Sequence, residues 1–487
     1  MDEKVNLKTL PAEIISNIVT HLWTYDYPYC ATLSPRWKEE VERVTFRHIN
    51  VKGDWHRLGG MANFARIVTP ARRAYVRTIR QEIEGPANKA VQDLFKLLSG
   101  YDNDDDNQNN GRRGSLHLDL YFCMLAYWIN MMKSELDLSM LSRHQIRQLP
   151  AVRCVTGLTC RIQNYANGMS CVAAIELAMR MPHIKRFHLL AEIGYHIPPN
   201  HREELARFLD ATGYISQARY CKEVVLWLEP DDDQEYYLSQ RPSYLNSLGF
   251  DPLGASLRTW SHNLVSLDVR GVFDGSLFWP SKFELDAKMP DSPWPRLKNL
   301  FVKLVVRTPA RDSYLTSETL GGGYTVPCER TLDPLFESWA TALGHMRVLE
   351  QATILFQPEM PPSSWNLTTL RCAIGFQAPS ISPHFPRHFD VENLTENEMR
   401  RPRLIFRNMK GWRPKKSTME KLHAVGRDRF PGTHMVELEI NEGLPRRSCS
   451  YSCFDRGLDI DGLFQKLRCG NPDLPDSEVQ LDDKPWY

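Results

Sequence analysis

The sequence predicts an α/β chain in three parts: a small N-terminal domain of three helices over residues 1–50, an irregular α/β solenoid over 51–443, and an irregular or partly disordered tail over 444–487. Three observations predict it. Apolar residues recur at helical spacing between Leu10 and Val44; beyond Val51, short strand patterns return every few tens of residues with helical stripes between several of them; and from Leu444 the chain becomes rich in Pro, Asp and Arg.

The first helix opens at Pro11, which suits a first turn because its missing N–H has no intrahelical partner, and Glu13 places a carboxylate near the positive end of the helix dipole. Ile14, Ile15, Ile18, Val19 and Leu22 then make an amphipathic stripe. Asp26 is positioned to cap a short middle turn carrying Tyr29, Cys30 and Leu33. A further helix starts at Ser34-Pro35, with serine as N-cap and proline in the first turn, and its apolar side is Trp37, Val41 and Val44. A unit this small has little interior and leans on a partner, a metal or a larger domain. No metal ligands are grouped here, which leaves a partner or the rest of the chain.

Leu10-Pro11, Glu13-Ile14, Ile18, Leu22, Asp26, Leu33-Ser34, Arg36-Trp37, Val41 and Phe46, taken in order, resemble an F-box, the module that docks substrate receptors onto the Skp-type adaptor of cullin-RING ubiquitin ligases. The resemblance implies adaptor contacts from Leu10, Pro11, Ile14, Ile15, Ile18, Leu22, Leu33, Trp37 and Val41. Fully burying each such side chain is worth roughly 1.5–3 kcal/mol before the entropy of association is subtracted. Tyr27, Pro28 and Tyr29 depart from the small aliphatic residues more usual in that family, and they bear on the geometry of the middle turn. The alternative is that these helices simply complete the core of the large domain.

Beyond His48 to Val51, read as a first strand, strand signals begin at Val76, Leu116, Val155, Ile184, Val224, Leu264, Leu297 and Val348, roughly 30–50 residues apart. Helical stripes fall between them: Val91, Leu94, Phe95 and Leu98, closed by Gly100; Val172, Ile175 and Met179; Leu205, Phe208 and Leu209; Leu335, Trp339 and Leu343. The Leu-x-x-Leu-x-Leu form of several strands makes the body leucine-rich-repeat-like, although its units exceed the about 20–29 residues of that repeat, and an ordinary α/β domain is the alternative. Arg403 to Phe406 and Met435 to Ile440 read as closing strands, with Ser417-x-x-Glu420 as a capping box. Polar or glycine-rich loops are expected at Tyr101 to Gly114, Pro230 to Gln234 and Pro309 to Pro327.

Composition narrows the function. Hydrophobic residues make up 42% of the 487 and charged residues 24%, so most of the chain should fold. Lys+Arg 60 against Asp+Glu 59 leaves a net charge of +1, no field for nucleic acid or an anionic membrane. The N-terminus carries acidic residues and no signal-like apolar run, and no stretch reaches the ~18 apolar residues of a membrane span, so a cytoplasmic or nuclear location is expected. The 11 cysteines are scattered without zinc spacing, and Cys449 and Cys453 read as loop residues.

Other motifs fail on inspection. Asp102, Asp104 and Asp106 share calcium-loop spacing, but Asn107 and Arg113 stand where glycine and a bidentate glutamate are required. Gly321 to Gly323 lacks the following Lys-Ser/Thr of a phosphate loop, and Asn366 and Asn393 match only the frequent glycosylation pattern. The basic run Lys410 to Lys416 suits the surface approach to a helix. No nucleophile, base and oxyanion donor come together, so no enzyme, cofactor or metal is expected.

The reading that follows is a substrate-recognition subunit of an SCF-type ubiquitin ligase, non-catalytic itself, binding a Skp-type adaptor, through it a cullin-RING ligase, and an unknown protein substrate. The alternative is an F-box-bearing scaffold without ligase role. Accumulation of a bound partner after proteasome inhibition separates the two.

Overall fold

Successive residues of the strand segments point to opposite faces of a sheet, and it is these strands that organise the chain from residue 48 onward. The computed structural model describes residues 7–51, 60–84, 87–108, 115–123, 142–163, 170–193, 200–212, 221–230, 243–284, 293–305, 307–317, 325–357, 372–381, 395–409 and 411–440. Two compact units are present, Met1–Asn441 and Glu442–Tyr487. The second holds the expected tail with Cys449 and Cys453 and lies outside the described residues, as do Gly321 to Gly323, Asn366 and Asn393.

Among the described residues, twelve strands form one mixed and mostly parallel sheet whose order follows the chain without reversal. They are β1 (His48–Val51), β2 (Thr78–Glu84), β3 (Leu116–Cys123), β4 (Val155–Gln163), β5 (Arg186–Ile193), β6 (Glu223–Pro230), β7 (Ser266–Gly271) and β8 (Asn299–Val305). After a separate antiparallel pair, β9 (Leu315–Ser317) and β10 (Thr325–Pro327), come β11 (Gln351–Gln357), β12 (Cys372–Gln377), β13 (Arg403–Arg407) and β14 (Val436–Ile440). Neighbours from β1 to β8 and on to β11 are parallel; β12 is antiparallel to both β11 and β13, and β14 returns parallel to β13.

Parallel neighbours require crossovers, and helices lie in those positions: Ala87–Gln108, Arg143–Gln148, Cys171–Ala178, Asn200–Thr212, Pro252–Ser261, Glu329–His345 and Lys416–Arg429. One set of alternate strand residues, among them Ile79, Leu118, Leu158, Leu189, Leu226, Val269 and Val302, shares the main core with Leu94, Ile175, Leu205, Leu257 and Trp339 of these helices. β8 shows the alternation directly, with buried Leu300, Val302 and Leu304 between half-buried neighbours. Gly271 closes β7 at φ +150, where a Cβ would meet the Leu228 carbonyl oxygen at 2.9 Å.

Several local expectations need correction. Gly100 does not close a helix: Ala87–Gln108 runs through it, because Tyr101 is buried beneath the Arg73 guanidinium and the Asp102 carboxylate accepts the backbone N–H groups of Arg153 and Cys154 at 2.6 and 2.8 Å. A mid-helix glycine costs only about 1 kcal/mol, which those contacts outweigh. The first residues of the expected loop Tyr101 to Gly114 are thus helical. Ser417 is no cap either: the helix begins at Lys416 after Lys415, whose ammonium pairs with Asp333 at 3.2 Å. The expected loop Pro309 to Pro327 contains β9 and β10. β12 and the helix Pro252–Ser261 were not foreseen; β12 is buried on both faces and so lacks the alternation that marks a strand. The basic run leads onto the helix Lys416–Arg429 with Lys415 and Lys416 exposed, as expected, while its Arg413 pairs with Glu437 and Glu439 and stacks on Phe406; Lys410 lies outside the described residues.

Candidate functional site

Three helices precede the sheet: α1 (Ala12–His21), α2 (Tyr27–Ala31) and α3 (Pro35–Thr45). Pro11 occupies the N-cap of α1 without a side-chain bond, and its carbonyl accepts from Ile15 at 3.1 Å. The Ser34 hydroxyl accepts the Trp37 backbone N–H at 3.4 Å, with Pro35 in the first turn, as the sequence predicts. Asp26 stands at the start of α2 without a side-chain cap, and burial with the nearby Asp26 carboxylate pushes the Cys30 thiol up.

Ile15, Val19, Trp37 and Val41 close on one another as a core separate from that of the sheet, with Leu10, Ile18, Leu22, Leu33 and Val44 half-buried around it. The nine expected adaptor contacts therefore divide. Ile15, Trp37 and Val41 are 0%, 2% and 5% exposed and hold the helices together. Leu10, Ile18, Leu22 and Leu33 form the half-buried rim. Pro11 and Ile14 are exposed, Ile14 by 47%, on the outward side of α1. Trp23 (77%), Tyr25 (70%) and Tyr29 (77%) are also exposed and were not among the expected contacts. Their signal was available: three aromatics between two helices at no spacing that buries them. Exposed aromatics are enriched at protein interfaces.

The helices join the sheet through a polar seam. Arg72, from the short helix Pro70–Arg73, donates to Glu42 at 2.8 Å and lies 4.7 Å from the Phe46 ring centroid. An open groove of about 540 Å³ runs along this seam, lined by Tyr27, Pro28, Val41, Val44, Phe46 and Arg72 among others.

The sheet face turned away from the main core carries a second array. Arg161 and Arg80 approach Asp119 at 3.3 and 3.9 Å; His117 and Thr159 share a hydrogen bond at 3.0 Å; His188 meets Glu223 at 3.3 Å. Further along, Arg270 stacks on Trp227 with 3.5 Å to the ring centroid and pairs with Asp268. The array then gives way to an apolar cluster of Leu355, Ala373 and Ile405 with Phe301, Leu438 and Ile440. The charged groups named here pair with one another along the face.

Away from this face, Asp251 is fully buried; burial raises its carboxyl to about 6 even though Arg202 donates to it at 2.6 Å. That pair ties the helix Asn200–Thr212 to the start of Pro252–Ser261. Among the described residues no group of three or more His, Cys, Asp or Glu is placed to hold a metal, and no helix is long and apolar enough to cross a membrane. No protein-family model matches the chain, and no curated protein matches it either.

Proposed function

We propose that the chain is a substrate-recognition subunit of an SCF-type cullin-RING ubiquitin ligase, in which residues 7–45 act as an F-box that docks a Skp-type adaptor. The sheet domain, read as an irregular leucine-rich-repeat-like solenoid, holds a target protein, and ubiquitin transfer belongs to other subunits. One observation carries the reading: the first three helices close a core of their own and leave Pro11, Ile14 and neighbouring aromatics outward. Helices that merely completed the main core would have turned that stripe inward. The unreversed strand order supports the solenoid, since stacked repeats place each strand beside the next in sequence.

The test is co-purification with a Skp-type adaptor. Ile14→Asp removes an outward apolar contact without opening the interior, so it should abolish recovery of the adaptor while circular dichroism stays that of the parent. Undiminished recovery would count against the assignment.

A further inference from the structure

The residues immediately before the strands form their own line across the N-terminal edge of the sheet. Backbone bonds trace it: Lys185 N–H to Thr156 carbonyl at 2.7 Å, Lys222 to Lys185 at 2.9 Å, Val265 to Lys222 at 2.7 Å, Lys298 to Val265 at 2.8 Å and Glu350 to Lys298 at 2.7 Å. At about 4.8 Å per strand, Lys185 to Lys298 spans about 14 Å. Lys185, Lys222 and Lys298 are exposed, and Arg153 and Arg296 stand exposed just ahead of β4 and β8.

These cations are not consumed internally. The side chains of Arg153, Lys185, Lys222 and Arg296 make no hydrogen bond or ion pair with a described residue, and Lys298 makes one half-exposed pair, with Glu350 at 2.6 Å. The nearby acids are occupied: Asp102 by two backbone N–H groups, Glu223 by His188. Two carbonyls on this side are answered by other arginines: Arg180 donates to Leu149, the C-cap of the helix Arg143–Gln148, and Arg429 to Leu349, just ahead of β11. In a chain of net charge +1, a line of unspent positive charge is a local feature.

We infer that this edge binds an acidic peptide segment of a partner protein. The 14 Å line matches about four to five residues of extended chain. Lysines at three of the four strand positions supply compact point charges for carboxylates, with an arginine only at either flank, and the line carries no aromatic side chain for stacking a base. The inference stands apart from the adaptor-docking reading, which concerns residues 7–45.

Fluorescence anisotropy on the full chain tests it, with a labelled ten-residue alternating Glu-Ser peptide and a labelled single-stranded thymidine decamer as probes. The peptide should bind, weaken with salt, and bind at least about tenfold more weakly to the triple variant Arg153→Glu, Lys185→Glu, Lys222→Glu. Lys38→Glu with Lys96→Glu, which changes the same sign of charge elsewhere on the exposed surface, should leave binding as in the parent. Circular dichroism confirms that each variant is folded, and Lys185→Gln with Lys222→Gln gives a milder second reading. The inference is overturned if the peptide does not bind, if the folded triple or glutamine variant binds it like the parent, or if the thymidine decamer binds more tightly than the peptide.

Discussion

The indole N–H of Trp37 donates to the Leu7 carbonyl at 2.8 Å, so the aromatic that most marks α3 pins the turn ahead of α1 to the helical domain's interior. Trp37 is thereby a structural residue of the three-helix unit, and the outward surface begins with its neighbours.

Trp37→Ala should cost the helical domain about 3–5 kcal/mol, enough to unfold a unit of this size. Hydrogen exchange read by mass spectrometry should show residues 7–45 losing protection while β3 to β8 keep theirs. Retained protection in α1 would sink the claim.

Ile14 and Ile15 are adjacent with opposite roles, 47% and 0% exposed. Ile14→Asp should change stability by less than about 0.5 kcal/mol, whereas Ile15→Asp buries an unpaired carboxylate and should destabilise by several kcal/mol. Urea denaturation of both variants decides it, and equal midpoints would refute the division.

Arg72 and Glu42, 2.8 Å apart and only partly exposed, fasten the helices to the sheet. A double-mutant cycle with Arg72→Ala and Glu42→Ala should return a coupling of about 0.5–1 kcal/mol, reduced by salt. Zero coupling at low salt would leave the seam to apolar contact alone.

Stability should respond to pH through Asp251 and His262 with opposite signs. Burial raises the Asp251 carboxyl from 3.8 to about 6, so the native state binds a proton that the unfolded chain releases; this contribution is full below 3.8 and is lost as pH rises through 6. Burial, with Arg258 nearby, lowers His262 from 6.5 to about 4, and its contribution is lost as pH falls through that range. Asp251→Asn removes the first, so between pH 4 and 6 the variant should lose stability on acidification more steeply than the parent, by about 3 kcal/mol in total. Parallel pH profiles would show that Asp251 does not titrate there.

A Cβ at Gly157 would lie 2.3 Å from His117 Nδ1 on the neighbouring strand. Gly157→Ala should therefore destabilise by about 1–3 kcal/mol, and His117→Ala in the same chain should recover most of the loss. Failure of the second change to rescue would place the strain elsewhere.

The starts of most strands were legible because Leu, Ile and Val at alternate positions announce a face, as in β3 and β8, and Pro35 after Ser34 announced α3. Gly100 misled because a local end signal is worth about 1 kcal/mol, less than the tertiary contacts made by Tyr101 and Asp102, and Ser417 misled because the helix starts one residue earlier, at Lys416. The candidate contacts were legible as a set but not as individuals: helical spacing identifies a stripe wider than the narrow interior it fills, and it cannot say which edge of the stripe stays out.

By itself the sequence determined an alternation of strand and helix, an apolar helical start and a chain without net charge to attract a polyanion, because those follow from side-chain periodicity and composition. Only the tertiary structure decided that the strands stack in unbroken chain order, that Trp37 and Ile15 turn inward while Ile14 turns outward, and that lysines far apart in sequence fall on one line, because each depends on which segments pack together across long stretches of chain.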